Sequence, residues 1–178
     1  VRNCKLLNGG QGIFFRIESG IKTAVVENNF IQPINGIGVN CQGSGLTANI
    51  LNNSISNPAG YYSAIFAGID FGPLPQLNIV NNSISDFGGV GMQVRSNNGN
   101  YNNNSIVGTG SFAIVRFLDG GNTPNATCNW YGVSTASVAT KMDGDINYEP
   151  WLVDGTDADP AVGFQQLPGV CSGDSVYI

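Results

Sequence analysis

Seven side chains could contact a saccharide: Phe14, Arg16, Phe66, Asp70, Gln93, Arg95 and Arg116. Aromatic rings stack on sugar faces, while guanidinium, amide and carboxylate groups hydrogen-bond hydroxyls or carboxylates. The same residues also read as ordinary exterior positions. For acid–base chemistry the first 142 residues offer only Glu18, Glu27, Asp70, Asp86 and Asp119. Glu18 and Asp70 fall two repeats apart, about 9.6 Å at the spacing of stacked strands, near the upper limit for an inverting carboxylate pair. Asp70 beside Arg95 reads equally as a surface ion pair worth under about 1 kcal/mol. The chain has no histidine, which excludes Ser-His-Asp and Cys-His triads, a histidine base and histidine-ligated zinc. No catalytic residue, cofactor or metal is assigned. Asp154, Asp157 and Asp159 invite a calcium reading, but lack the EF-hand order and any GGxGxD nonapeptide; they read as a solvated acidic loop, with calcium left open.

Composition bounds the rest. The 178 residues make about one domain's worth of chain. Only 11% are charged, against roughly 25% in ordinary domains, and 25 Gly and 23 Asn fill the gap. This is too apolar for disorder, and no apolar run is long enough to span a bilayer. Residues 1–142 carry net +2 and residues 143–178 net −7, giving −5 overall. Neither part shows the clustered Lys and Arg of a nucleic-acid surface. The acidic end reads as a solvated cap or linker. Cys4, Cys41, Cys128 and Cys171 stand 37, 87 and 43 residues apart with no CxxC. They read as small buried thiols or, alternatively, as including a Cys128–Cys171 disulfide that ties the tail down. No signal peptide opens the chain at Val1, and it ends on Val176-Tyr177-Ile178, so it reads as a mature or excised segment of a longer protein.

What must position these side chains is a repeat. Val26-Glu27-Asn28-Asn29-Phe30-Ile31, Leu51-Asn52-Asn53-Ser54-Ile55-Ser56, Val80-Asn81-Asn82-Ser83-Ile84-Ser85 and Asn102-Asn103-Asn104-Ser105-Ile106 share a core. With weaker copies at Asn3 and Cys128, the six anchors are 25, 24, 29, 22 and 25 residues apart. Each copy is flanked by short alternating strands and Gly-containing turns. The pattern predicts an all-β, right-handed parallel β-helix of about six coils, three short strands per coil, each stacked on the next at about 4.8 Å. Asparagine tolerates the left-handed backbone of a sharp corner, and its amide can bond the coils above and below. Asn28, Asn52, Asn81 and Asn103 are the expected structural ladder.

Aligning strands from their glycine turns gives three outward columns. One holds Arg16, Asn40, Gly68, Gln93 and Arg116; the second holds Glu18, Gln42, Asp70, Arg95 and Leu118; the third holds Phe14, Gly38, Phe66, Gly91 and Ile114. Glycosylation sequons begin at Asn52, Asn81, Asn103 and Asn125; the first three fall in the repeat's own corner and read as incidental. The series Ser54/Ser56, Ser83/Ser85 and Ser105 is too short for an ice-binding row and breaks at Val107.

The NNSIS coils, Asn129-Trp130-Tyr131-Gly132 and Asp143-Gly144-Asp145-Ile146-Asn147-Tyr148-Glu149-Pro150-Trp151-Leu152 resemble the right-handed parallel β-helix repeat proteins, pectin-lyase-like proteins secreted by bacteria. The resemblance covers roughly residues 1–165. It implies coils over 1–132, a C-terminal cap over 133–165 with Trp130, Trp151 and Leu152 closing the apolar end, and a tail or linker over 166–178. A helical turn or two is expected over 134–141, and a last strand at Ile146 and Tyr148. The family includes lyases, hydrolases and epimerases acting on acidic polysaccharides. The expectation is a secreted or cell-surface, non-catalytic module, structural, adhesive or polysaccharide-binding, with a cell-surface glycan as partner and neither nucleic acid nor membrane insertion. The alternative is a fragment of a polysaccharide lyase, hydrolase or epimerase.

Overall fold

A computed structural model describes residues 1–43, 45–58, 62–68, 76–94, 99–116, 123–134, 136–167 and 171. It is a parallel β-solenoid of about five turns with three strands per coil. The six anchors bound five intervals, which gives about five full turns, and the second sheet stacks six strands.

The first sheet stacks β1 (Lys5–Leu7), β4 (Phe30–Gln32), β7 (Ser54–Ser56), β10 (Ser83–Ser85) and β13 (Ser105–Val107). The second stacks β2 (Ile13–Arg16), β5 (Val39–Gln42), β8 (Ile65–Gly68), β11 (Met92–Val94), β14 (Ile114–Arg116) and β15 (Met142–Asp143). The third stacks β3 (Lys22–Glu27), β6 (Leu46–Leu51), β9 (Gln76–Val80) and β12 (Gly99–Asn100). Alternation sends one face of every strand into the tube. Leu6, Ile31, Ile55, Ile84 and Ile106 are in register, and all except the half-buried Leu6 on the first coil are fully buried. Each such isoleucine contributes about 1.5–3 kcal/mol of apolar burial.

The corner after each third-sheet strand is where asparagine matters. Asn3, Asn28, Asn52, Asn81, Asn103 and Cys128 all have φ between 53° and 59°. The expected ladder positions are therefore aligned corners. The amide ladder itself belongs to the next residue: Asn29, Asn53, Asn82, Asn104 and Asn129 are fully buried. The backbone N–H and Nδ2 of each of the first four donate to Oδ1 of the next, at 2.8–3.0 Å. A corner residue in left-handed geometry turns its side chain outward, so its successor points into the tube. Corner and ladder should thus respond differently to mutation. Asn28→Gly should leave stability within about 0.5 kcal/mol, since glycine adopts this φ freely, whereas Asn28→Val should cost about 1–2 kcal/mol. Equal losses in urea unfolding would contradict the assignment.

Register in the second sheet corrects the three proposed columns. Phe14, Asn40, Phe66, Gln93, Val115 and Asp143 share one column. Arg16 pairs instead with Gln42 and then Gly68. The cause is the turn. Gly12, Gly38, Ala64, Gly91 and Ala113 immediately precede these strands and pair across coils through N–H···O bonds one residue on. A Cβ on Gly12 would overlap the Gly38 carbonyl and Ile31 Cγ2. Only small residues fit there, so this residue marks register, and the earlier glycine of each turn does not.

The C-terminal region differs in detail from the expected lid. Residues Ala136–Lys141 form a 3-10 helix leading into β15, and Asn147 bridges Asn125. Leu152 is fully buried, and Trp151 packs on the core beside Tyr148, ring centroids 6.2 Å apart. Trp130 does not close the end. It bridges Ser105 in the outward column of the first sheet, and Gly155 lies against its indole. Beyond Leu152 the chain doubles back as a strap. Asp157 and Gln166 pair antiparallel, Gly163 sits over Asn52 and Asn81, and Phe164 N–H donates to the Asn81 carbonyl at 2.9 Å. Gln166 Nε2 donates to Asn103 Oδ1 at 3.1 Å, and Cys171 is disulfide-bonded to Cys128. The strap therefore follows the corner column.

Candidate functional site

The second sheet presents the ring column on its outer face. Phe14 is 51% exposed, Phe66 and Gln93 are half-buried, and Asn40 between the rings is 5% exposed. Phe14 and Phe66 lie two strands apart, about 9.6 Å along the axis. Oδ1 of Asn40 has no hydrogen-bond partner among the described residues. A buried polar atom left this way costs about 1–3 kcal/mol.

The other predicted contacts divide. Arg16 flanks Phe14 on the same strand, with its Nε 3.7 Å from Glu18. Arg116 aligns with Val94 in an inward-facing column and leaves the rings. Its side chain is only 6% exposed, and Nη1 donates to the Asp145 carbonyl at 3.0 Å and Oδ2 at 3.4 Å. Asp70 and Arg95 lie outside the described residues. Of the carboxylates on the coils, Glu27 is held by Arg2 at 2.8 Å.

The Cys41 thiol is not poised for chemistry at neutral pH. Cys41 is buried in the core, and loss of solvation pushes its thiol up to about 12, so it stays protonated. Cys4 is exposed and free. Of the two sequence readings, a buried thiol holds for Cys41 and the disulfide for Cys128 and Cys171. Burial also raises the Tyr131 hydroxyl, which donates to the Ala126 carbonyl at 2.8 Å and accepts from Asn129 Nδ2.

In the acidic loop each carboxylate serves its own turn. Asp154 accepts from the N–H and hydroxyl of Thr156, which lowers its pKa; Asp157 accepts from Gln165 N–H, and Asp159 from Ala161 N–H. Among the described residues no group of three His, Cys, Asp or Glu side chains is placed to hold a metal ion. No helix among them is long and apolar enough to cross a membrane.

Two features escaped the sequence reading. Asn40 joins the rings only once the register is known. A column of outward asparagines on the third sheet (Asn49, Asn78, Asn100, Asn125 and Asn147) was legible as a spacing, since the first four each precede a corner residue by three positions. No family model matches the chain, and no curated protein or solved structure matches it either.

Proposed function

We propose that this chain is a non-catalytic module of a secreted or cell-surface protein that binds polysaccharide along the outer face of its second sheet. The observation that carries the reading is the single column Phe14–Asn40–Phe66–Gln93, rings alternating with amides. Alternate residues of an extended glycan are spaced much as these rings are, so two sugar faces stack while the half-buried Gln93 amide takes a hydroxyl beside them. The resemblance to secreted, pectin-lyase-like bacterial β-helix proteins supports the same class of ligand. The Cys128–Cys171 disulfide suits an oxidising compartment. Adhesion to a glycan-bearing surface is the role such a rigid module would serve.

Affinity electrophoresis and calorimetry against a panel of plant and bacterial polysaccharides test this. Phe14→Ala and Phe66→Ala should each weaken binding about tenfold with the fold intact. Undiminished binding by the double variant, or no binding across the panel, would contradict it.

A further inference from the structure

The third sheet carries a chemically different face. Its outward column runs from Val25 through Asn49, Asn78 and Asn100, and bridges continue it to Asn125 and Asn147. Five asparagines thus follow one another at about 4.8 Å. Asparagine is disfavoured in strands. None of these five has the left-handed backbone that explains the corner asparagines, and none belongs to the buried ladder. Neither the corner geometry nor the buried ladder therefore accounts for them. Asn100 and Asn147 are exposed and the other three half-buried, and Asn78 Nδ2 donates to Asn49 Oδ1 at 2.8 Å, so these two amides are aligned along the axis.

At its C-terminal end the column opens into a cleft of about 380 Å³ lined by Thr123, Asp145, Asn147, Tyr148 and Glu149. The Asp145 carboxylate is fixed there by Thr123 Oγ1 at 2.8 Å and by Arg116, yet its side chain is 77% exposed. Glu149 is exposed, and residues 143–149 contain three carboxylates and no basic residue.

Each amide offers a donor and an acceptor, which matches a hydroxyl, and their repeat is close to the rise of an extended sugar chain. Carboxylates at one end favour an ammonium and repel a uronate. We propose that this face binds a linear amino-sugar oligosaccharide, with its hydroxyls on the amide column and an ammonium-bearing unit at Asp145 and Glu149. The proposal stands independently of the ring column.

The test titrates the intact chain with a β-1,4-linked glucosamine hexamer, the neutral glucose hexamer and a galacturonate hexamer, by calorimetry and by nitrogen-15 shifts of the asparagine side-chain amides. The glucosamine hexamer should bind at least about tenfold tighter than the neutral one, and should move the Asn100 and Asn147 amides. Asp145→Asn with Glu149→Gln should reduce it to the neutral level. Asn78→Thr with Asn100→Thr, which keeps strand propensity, should weaken both, and Phe14→Ala should change neither. Static amide shifts on the unaltered chain, tighter binding of the galacturonate hexamer at these amides, or full glucosamine affinity after loss of both carboxylates would overturn it.

Discussion

Asn53→Ala is expected to lower stability by about 4–6 kcal/mol, a large share of what holds a domain of this size folded. Nδ2 of Asn53 donates to the carbonyls of Val26 and Leu51 and to Oδ1 of Asn82, each at 2.9 Å, and Oδ1 accepts both the N–H and the Nδ2 of Asn29. Alanine removes all five bonds inside the tube, where water cannot replace them, and each orphaned group costs about 1–3 kcal/mol. The ladder couples five coils, so cooperativity should fall as well, visible as a broader urea transition. A loss below about 1 kcal/mol would mean that the ladder is not what joins the coils.

Cys171→Ser should cost about 4 kcal/mol, the loop-closure value for a 43-residue separation. Its local effect is more telling. The strap is held by few other contacts, chiefly buried Phe164, its bond to Asn81, and Gln166 on Asn103. Freed from Cys128, residues 153–167 should become the first site of proteolytic cleavage while the coils stay resistant. Unchanged resistance of the strap in the variant or under reductant would show that Phe164 and its neighbours hold it alone. The outward residues beneath it, including the sequon asparagines Asn52, Asn81 and Asn103, are where accessibility should rise.

The winding was legible because it is written in backbone chemistry that repeats. A left-handed corner admits few residue types, so Asn28, Asn52, Asn81 and Asn103 recur at every turn, and Phe14 and Phe66 were placed correctly in one column. What failed was assignment at single-residue resolution. Consecutive asparagines do different work, and the sequence alone does not say which of Asn52 and Asn53 turns inward. Register failed for a related reason. Connections before the second-sheet strands differ in length from coil to coil, and one to three glycines per turn left the alignment ambiguous until the packing of Gly12 on Gly38 selected one. Arg116 was misplaced by one residue through that slip, which moved it from the ring face to Asp145. Trp130 was read as a lid because tryptophan near a solenoid end suggests one, whereas its bridge to Ser105 keeps it on the outer wall.

Side-chain amide spectroscopy addresses the winding itself. Nδ2 protons of Asn53, Asn82 and Asn104 are expected to exchange slowly and to show through-space contacts with residues 22 to 29 positions away, one coil along the ladder. Those of the exposed corner residue Asn28 should exchange at the rate of a solvated amide. Fast exchange throughout, or contacts confined to sequence neighbours, would mean that the coils are not stacked amide on amide, and neither the ring column nor the outward asparagine column would then exist.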